Sequence, residues 1–176
     1  MKLFNYYSLL ICFITLSPAF SRAAEVITTQ DLNAMAVAET LTFSNSNKIG
    51  TTDFVTYTCS GGTAKFNTYG AGSLIHICLM GSGAMVTTSA IEDLKKVAFR
   101  YTGSISGLKF EYLPEGGTWT VLAADASSIS GMQVYVLPST GKYQLRLTRG
   151  ADLYIPSVVY TTAEPCNCLR VQLEGN

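Results

Sequence analysis

Leu108-Lys109-Phe110-Glu111-Tyr112 alternates apolar and polar side chains without a break, and Val97-Ala98-Phe99-Arg100-Tyr101 before it does the same. Successive side chains on an extended strand point to opposite faces, so each stretch has one dry face and one wet face. The period of two recurs elsewhere. Val55, Tyr57 and Cys59 alternate with Phe54, Thr56 and Thr58, and Tyr143, Leu145 and Leu147 alternate with Gln144, Arg146 and Thr148. Met132, Val134 and Val136 alternate with Gln133 and Tyr135, and Leu169, Val171 and Leu173 alternate with Arg170, Gln172 and Glu174. Glycine-rich turns such as Ser60-Gly61-Gly62, Glu115-Gly116-Gly117 and Ser139-Thr140-Gly141 separate the runs. Many short amphipathic strands between turns predict an all-β antiparallel β-sandwich. Residues 25–38 are the one helix candidate, with Thr28 and Asp31 resembling an N-terminal cap. Ile91-Glu92-Asp93-Leu94-Lys95-Lys96 reads as a loop entering the strand at Val97.

The first residues predict export. A charged start at Lys2, an apolar run from Leu9 to Leu16, a break at Pro18 and small residues at Ala19, Ser21 and Ala23 form a secretory signal over residues 1–23. The run is too short for a comfortable membrane span, and no later stretch is long enough for one. Removing the first 23 of 176 residues leaves 153, the size of one domain over residues 24–176. The expected location is secreted, periplasmic or cell-surface. Lys2 and Arg22 leave with the signal, so ten basic residues then face twelve acidic ones. With no basic block, nucleic acid is not expected as a partner. The oligomeric state is not legible.

Cys59, Cys78, Cys166 and Cys168 remain after the signal departs. An even count in an oxidising compartment favours disulfides, with Cys166 and Cys168 each reaching back to Cys59 or Cys78. A four-thiolate zinc site fits poorly, because the tight pair has a one-residue gap. No metal or cofactor is expected.

Val86-Thr87-Thr88-Ser89, Leu94 to Tyr101, Leu108 to Tyr112, Gly116-Gly117-Thr118-Trp119-Thr120-Val121-Leu122 and Tyr143 to Arg149 follow one another in an order similar to galactose-binding-like jelly-roll domains of exported bacterial proteins. This resemblance covers roughly residues 84–162. It implies a jelly-roll sandwich and favours sugar binding, while naming no ligand residue.

Catalytic signals are weak. His76, the only histidine, lies in an apolar strand with no nucleophile motif near it. Glycoside hydrolysis needs two carboxyl groups across a sugar bond, and no spacing singles out a pair among Glu92, Asp93, Glu111, Glu115, Asp125 and Asp152. Glu111 is out of phase with Phe110 and Tyr112 and is expected to be solvated.

Aromatic and arginine side chains are the better signal, since a sugar ring stacks its CH face on an aromatic plane and its hydroxyls seek polar partners. Trp119 follows a glycine turn, though it shares phase with Val121, which also fits a core position. Tyr135 falls on the polar phase of its strand, Tyr154 lies near a turn, and Arg100 and Arg146 lie on wet faces, where Glu111 is a possible ion partner. These five are the candidate ligand-binding residues. The leading expectation is an exported, non-catalytic binding module for carbohydrate. A structural or interaction protein of the cell envelope, pairing through a strand edge, is the alternative, and a glycoside hydrolase is the third.

Overall fold

The computed structural model describes residues 24–164. The chain runs β1 (Glu25–Asp31), α1 (Leu32–Val37), β2 (Thr42–Ser44), β3 (Ile49–Thr51), β4 (Thr56–Ser60), β5 (Lys65–Tyr69) and β6 (Leu74–Leu79). It continues with β7 (Met85–Thr88), β8 (Ile91–Gly103), β9 (Lys109–Pro114), β10 (Thr120–Val121), β11 (Met132–Thr148) and β12 (Leu153–Ala163). Every pairing is antiparallel. The fold is therefore all-β with one short helix, as the alternation predicts.

The strands form one hydrogen-bonded sheet that curls into two layers, and β11 passes between them. Its first half pairs with β8, beside which lie β12, β1, β6 and β5. Its second half lies between β7 and β9, with β4, β3 and β2 beyond β7 and β10 beyond β9. Irregularities between Val136 and Gly141 and between Gly141 and Tyr143 bend the strand while it still pairs with β8, and the change of partner follows at Tyr143. Such bulges bend a strand and raise its twist. The Tyr143 hydroxyl donates to the Ser139 carbonyl at 3.1 Å and pins the bend. Ser139-Thr140-Gly141 thus bends one strand and does not separate two.

The layers meet over a dry interior. Tyr160 of β12 donates to the Tyr57 hydroxyl of β4 at 3.1 Å, and Phe110 of β9 stacks on Tyr135 of β11 at 3.9 Å. Burial pushes both phenols of the Tyr57–Tyr160 pair well above the ordinary value. The remaining space between the layers is only about 20 Å³ and is lined chiefly by apolar side chains, consistent with close packing.

Four further expectations are corrected. Glu25–Asp31 is a strand, not helix, because its β-branched run pairs along its whole length with β12. Asp31 and not Thr28 caps α1, accepting from the Ala34 amide at 3.0 Å. Ile91–Lys96 is not a loop: β8 begins at Ile91, and Asp93 adopts a φ of 51° there. That extra residue lets both Ile91 and Leu94 face inward, a spacing of three that hides the strand from a period-two reading. In β11 the dry face carries Tyr135 and Leu137 together with Tyr143, Leu145 and Leu147, whereas Val136 is exposed. The predicted phase of Met132–Val136 was therefore inverted. The alternation at Leu169–Glu174 and the signal at residues 1–23 lie outside the described residues.

At the end of β8, Gly103 has a φ of +94°, and a Cβ there would run into the Asp152 carbonyl oxygen. Gly103→Ala combines a left-handed backbone with a backbone clash. Its expected cost is about 2 kcal/mol, read as a lowered midpoint in urea unfolding with an unchanged slope.

Candidate functional site

The outward face of the second layer is set by the β9–β11 ladder. Arg146 lies opposite Glu111, Gln144 opposite Leu113, and Thr148 opposite Lys109. Because Phe110, Leu145 and Leu147 are buried in the core, these intervening side chains point outward. On the other side of β11, Arg146 lies opposite Thr87, and Thr87 lies opposite Thr58. β10 adds Val121 opposite Glu111, so Val121 and Trp119 share that outward face. Val121 is exposed and Trp119 half-buried.

Trp119 and Arg146 meet, with the guanidinium 4.2 Å from the indole centroid. Arg146 Nε donates to Glu111 Oε2 at 2.8 Å, and Lys109 Nζ reaches Glu111 Oε1 at 2.7 Å. Glu111 is therefore covered and not solvated, its side chain only 4% exposed, which corrects the sequence expectation. The cause is cross-strand register: two cations close over the carboxylate and an indole lies on one of them. The hydrogen bond from Arg146 outweighs burial, which alone would raise the pKa, and with Lys109 it holds the Glu111 carboxyl down at about 2. The carboxylate is thereby a fixed anchor for the guanidinium, and the guanidinium fixes the indole.

The hairpin presenting Trp119 is closed by the Gly117 amide donating to the Pro114 carbonyl at 3.0 Å and by Gly116 at a φ of +69°. Beside it a groove of about 240 Å³ opens between Leu113 and Gln144, rimmed by Glu115 and Lys142. Lys142 Nζ pairs with Glu92 Oε1 at 2.8 Å. The Glu92 and Glu115 carboxylates raise the Lys142 pKa.

A folded-state pKa near 2, against an ordinary value of 4.5, means that the unfolded chain binds more protons at Glu111 between those values. The contribution of Glu111 to stability is therefore complete above about pH 5 and lost as pH falls through about 2. Glu111→Gln is expected to cost about 2 kcal/mol at pH 7 and to flatten the acid limb of a Tm-versus-pH curve.

The remaining candidates lie elsewhere. Tyr135 is a core residue, 4% exposed between Phe99 and Phe110, and cannot meet a surface ligand in this fold. Arg100 is exposed and Tyr154 half-buried on the outer face of the first layer. Tyr154 stacks on Tyr69 at 3.6 Å with the planes 7° apart. Lys109 carried no sequence signal, since its role depends on register. Among the described residues Cys59 and Cys78 are free, buried thiols. Cys59 faces the core while Cys78 lies on the other side of its layer, and burial pushes them up to about 12 and about 11. The expected disulfides run from Cys59 and Cys78 to Cys166 and Cys168, which lie outside the described residues. Among the described residues no helix is long and apolar enough to cross a membrane.

No protein-family model and no curated protein matches the chain. A solved structure from work on "The complexity of the Ruminococcus flavefaciens cellulosome reflects an expansion in glycan recognition" aligns with 82% of this chain and 99% of that chain, at 14% identity and a TM-score of 0.39. That likeness is too loose to carry an argument about this chain.

Proposed function

We propose that this chain is an exported, non-catalytic carbohydrate-binding module of galactose-binding-like jelly-roll type, and that it binds glycan on the Trp119–Arg146 face. The observation that carries this reading is a half-buried indole held at 4.2 Å on a guanidinium that a covered carboxylate anchors at 2.8 Å. One indole face is taken by Arg146, leaving the other for the CH face of a sugar ring. The fixed geometry lowers the ordering cost of binding. Arg146 keeps its Nη groups for hydroxyl or carboxylate oxygens of the sugar. Thr87, Gln144 and the Glu115–Lys142 rim supply further polar partners along the same face. Glu111, held ionised to about pH 2 and paired with Arg146 and Lys109, is a poor proton donor near neutrality and does not supply the acid of a hydrolytic pair.

Affinity electrophoresis tests the reading. The mature domain is run through gels containing xyloglucan, mixed-linkage β-glucan, glucomannan, xylan or pectin. Retardation by at least one of them is expected, and unretarded migration in all five contradicts the reading.

A further inference from the structure

We infer that the outer face of the first layer carries a second, independent glycan platform, built on Tyr69 and Tyr154, so that one domain holds two polysaccharide chains. This rests on the carbohydrate-binding reading above and extends it to a different face.

Leu153 and Ile155 point into the core, so Tyr154 between them points outward from the first layer. Trp119 and Arg146 point outward from the second layer. The two aromatic positions therefore lie on opposite sides of the sandwich. Tyr69, at the end of β5, leans across β6 and lies parallel to Tyr154 at 3.6 Å. Its ring also meets the His76 edge at 5.9 Å, and His76 is itself held by a 2.7 Å bond between Nδ1 and the Leu74 carbonyl. The Tyr154 hydroxyl reaches Met80 Sδ at 3.6 Å. Both rings are thus fixed. Yet Tyr69 is 42% exposed, and among the described residues it is the one aromatic ring classed as exposed.

An immobilised ring with a face in water is a poor choice for a core and a good one for stacking. The polar groups around it suit a sugar. Asn67 and Lys65 share the outer face of β5 with Tyr69 by strand alternation, and Asn67 lies opposite His76. Thr102 lies beside Tyr154, and exposed Arg100 stands two residues further along β8 on the same face. An amide, an ammonium, a hydroxyl and a guanidinium on the face that carries the stacked rings match a sugar's hydroxyl pattern. One exposed ring and the neighbouring Leu74 supply too little apolar area for a stable protein interface.

Two sites on opposite faces make the domain a cross-linker, and the test reads that property. The polysaccharide that retards the wild type is mixed with the mature domain and followed by light scattering. The same polysaccharide is used in affinity gels with Trp119→Ala, Tyr69→Leu and the double variant. Leucine keeps apolar cover over His76 while removing the flat ring. The wild type is expected to clump the polysaccharide. Each single variant should lose clumping while keeping retardation weakened by about tenfold or more, the share that avidity supplies, and the double variant should migrate freely. Wild-type clumping and retardation in Tyr69→Leu, with both lost in Trp119→Ala, overturns the second platform and leaves the first standing. A wild type retarded by nothing overturns both. Should Tyr69→Leu unfold, Asn67→Ala takes its place, since it leaves the ring stack intact: lost clumping supports the second platform and retained clumping overturns it.

Discussion

Trp119→Ala is expected to weaken binding of the retained polysaccharide at its own face by about 30-fold, a loss of roughly 2 kcal/mol. Among the described residues the indole is the one large flat surface on the outward face of the second layer, and its position is held. Glu111 holds Arg146 by a 2.8 Å bond, and Arg146 holds the ring at 4.2 Å. Truncation removes the stacking surface and leaves the guanidinium without its cover. Trp119 is half-buried on a two-strand hairpin, so the fold should lose only about 1 kcal/mol, the scale of one cation–π contact. Isothermal titration calorimetry with a soluble oligosaccharide of the retained polysaccharide, run beside a thermal melt, separates the two losses. Equal affinity in the variant, with its fold intact, removes Trp119 from the site.

Phe110→Ala is expected to be the most damaging of these substitutions to stability, at about 4 kcal/mol. Phe110 is 1% exposed and lies on Tyr135 at 3.9 Å with the planes 10° apart. It is a contact between the two layers, since β9 belongs to one and the first half of β11 to the other. Removing the ring opens a cavity beside Tyr135 and Phe99 that the stiff sandwich closes poorly. For a domain of this size the melting temperature should fall by roughly 10 °C. Lys109 and Glu111 flank the position, so the anchor of Arg146 is expected to loosen as well. A melting temperature within two or three degrees of wild type, about 1 kcal/mol, would mean that the layers are not clamped here.

Alternation was enough to read the architecture where strands are regular. Phe110, Phe99, Leu145 and Tyr57 all fall on the dry faces that the period of two predicts. It failed where an irregularity intervenes or where both phases look plausible. The Asp93 bulge gives Ile91 and Leu94 a spacing of three, which resembles a loop or a helical turn. At Met132–Val136 both phases carry large side chains, and hydropathy alone favoured the valines over Tyr135. Trp119 and Arg146 were legible as residue types that suit a sugar. Their meeting was not, because it needs the register that sets Arg146 opposite Glu111 and brings β10 beside β9. Tyr69 and Tyr154 are separated by about half of the chain, and only the order β5–β6–β12 makes them neighbours. Glu111 was misread because its phase is polar. A wet-face position becomes covered once two cross-strand cations and an indole close over it.

The chain contains a single tryptophan, and it is Trp119. Its emission is therefore a direct report from the proposed glycan face. The wild-type domain is titrated with the polysaccharide that retards it, and tryptophan fluorescence is recorded. The account predicts a saturable change in intensity with a shift to shorter wavelength, as a sugar ring displaces water from the indole. Saturable binding by gel retardation with an unchanged emission spectrum would contradict it.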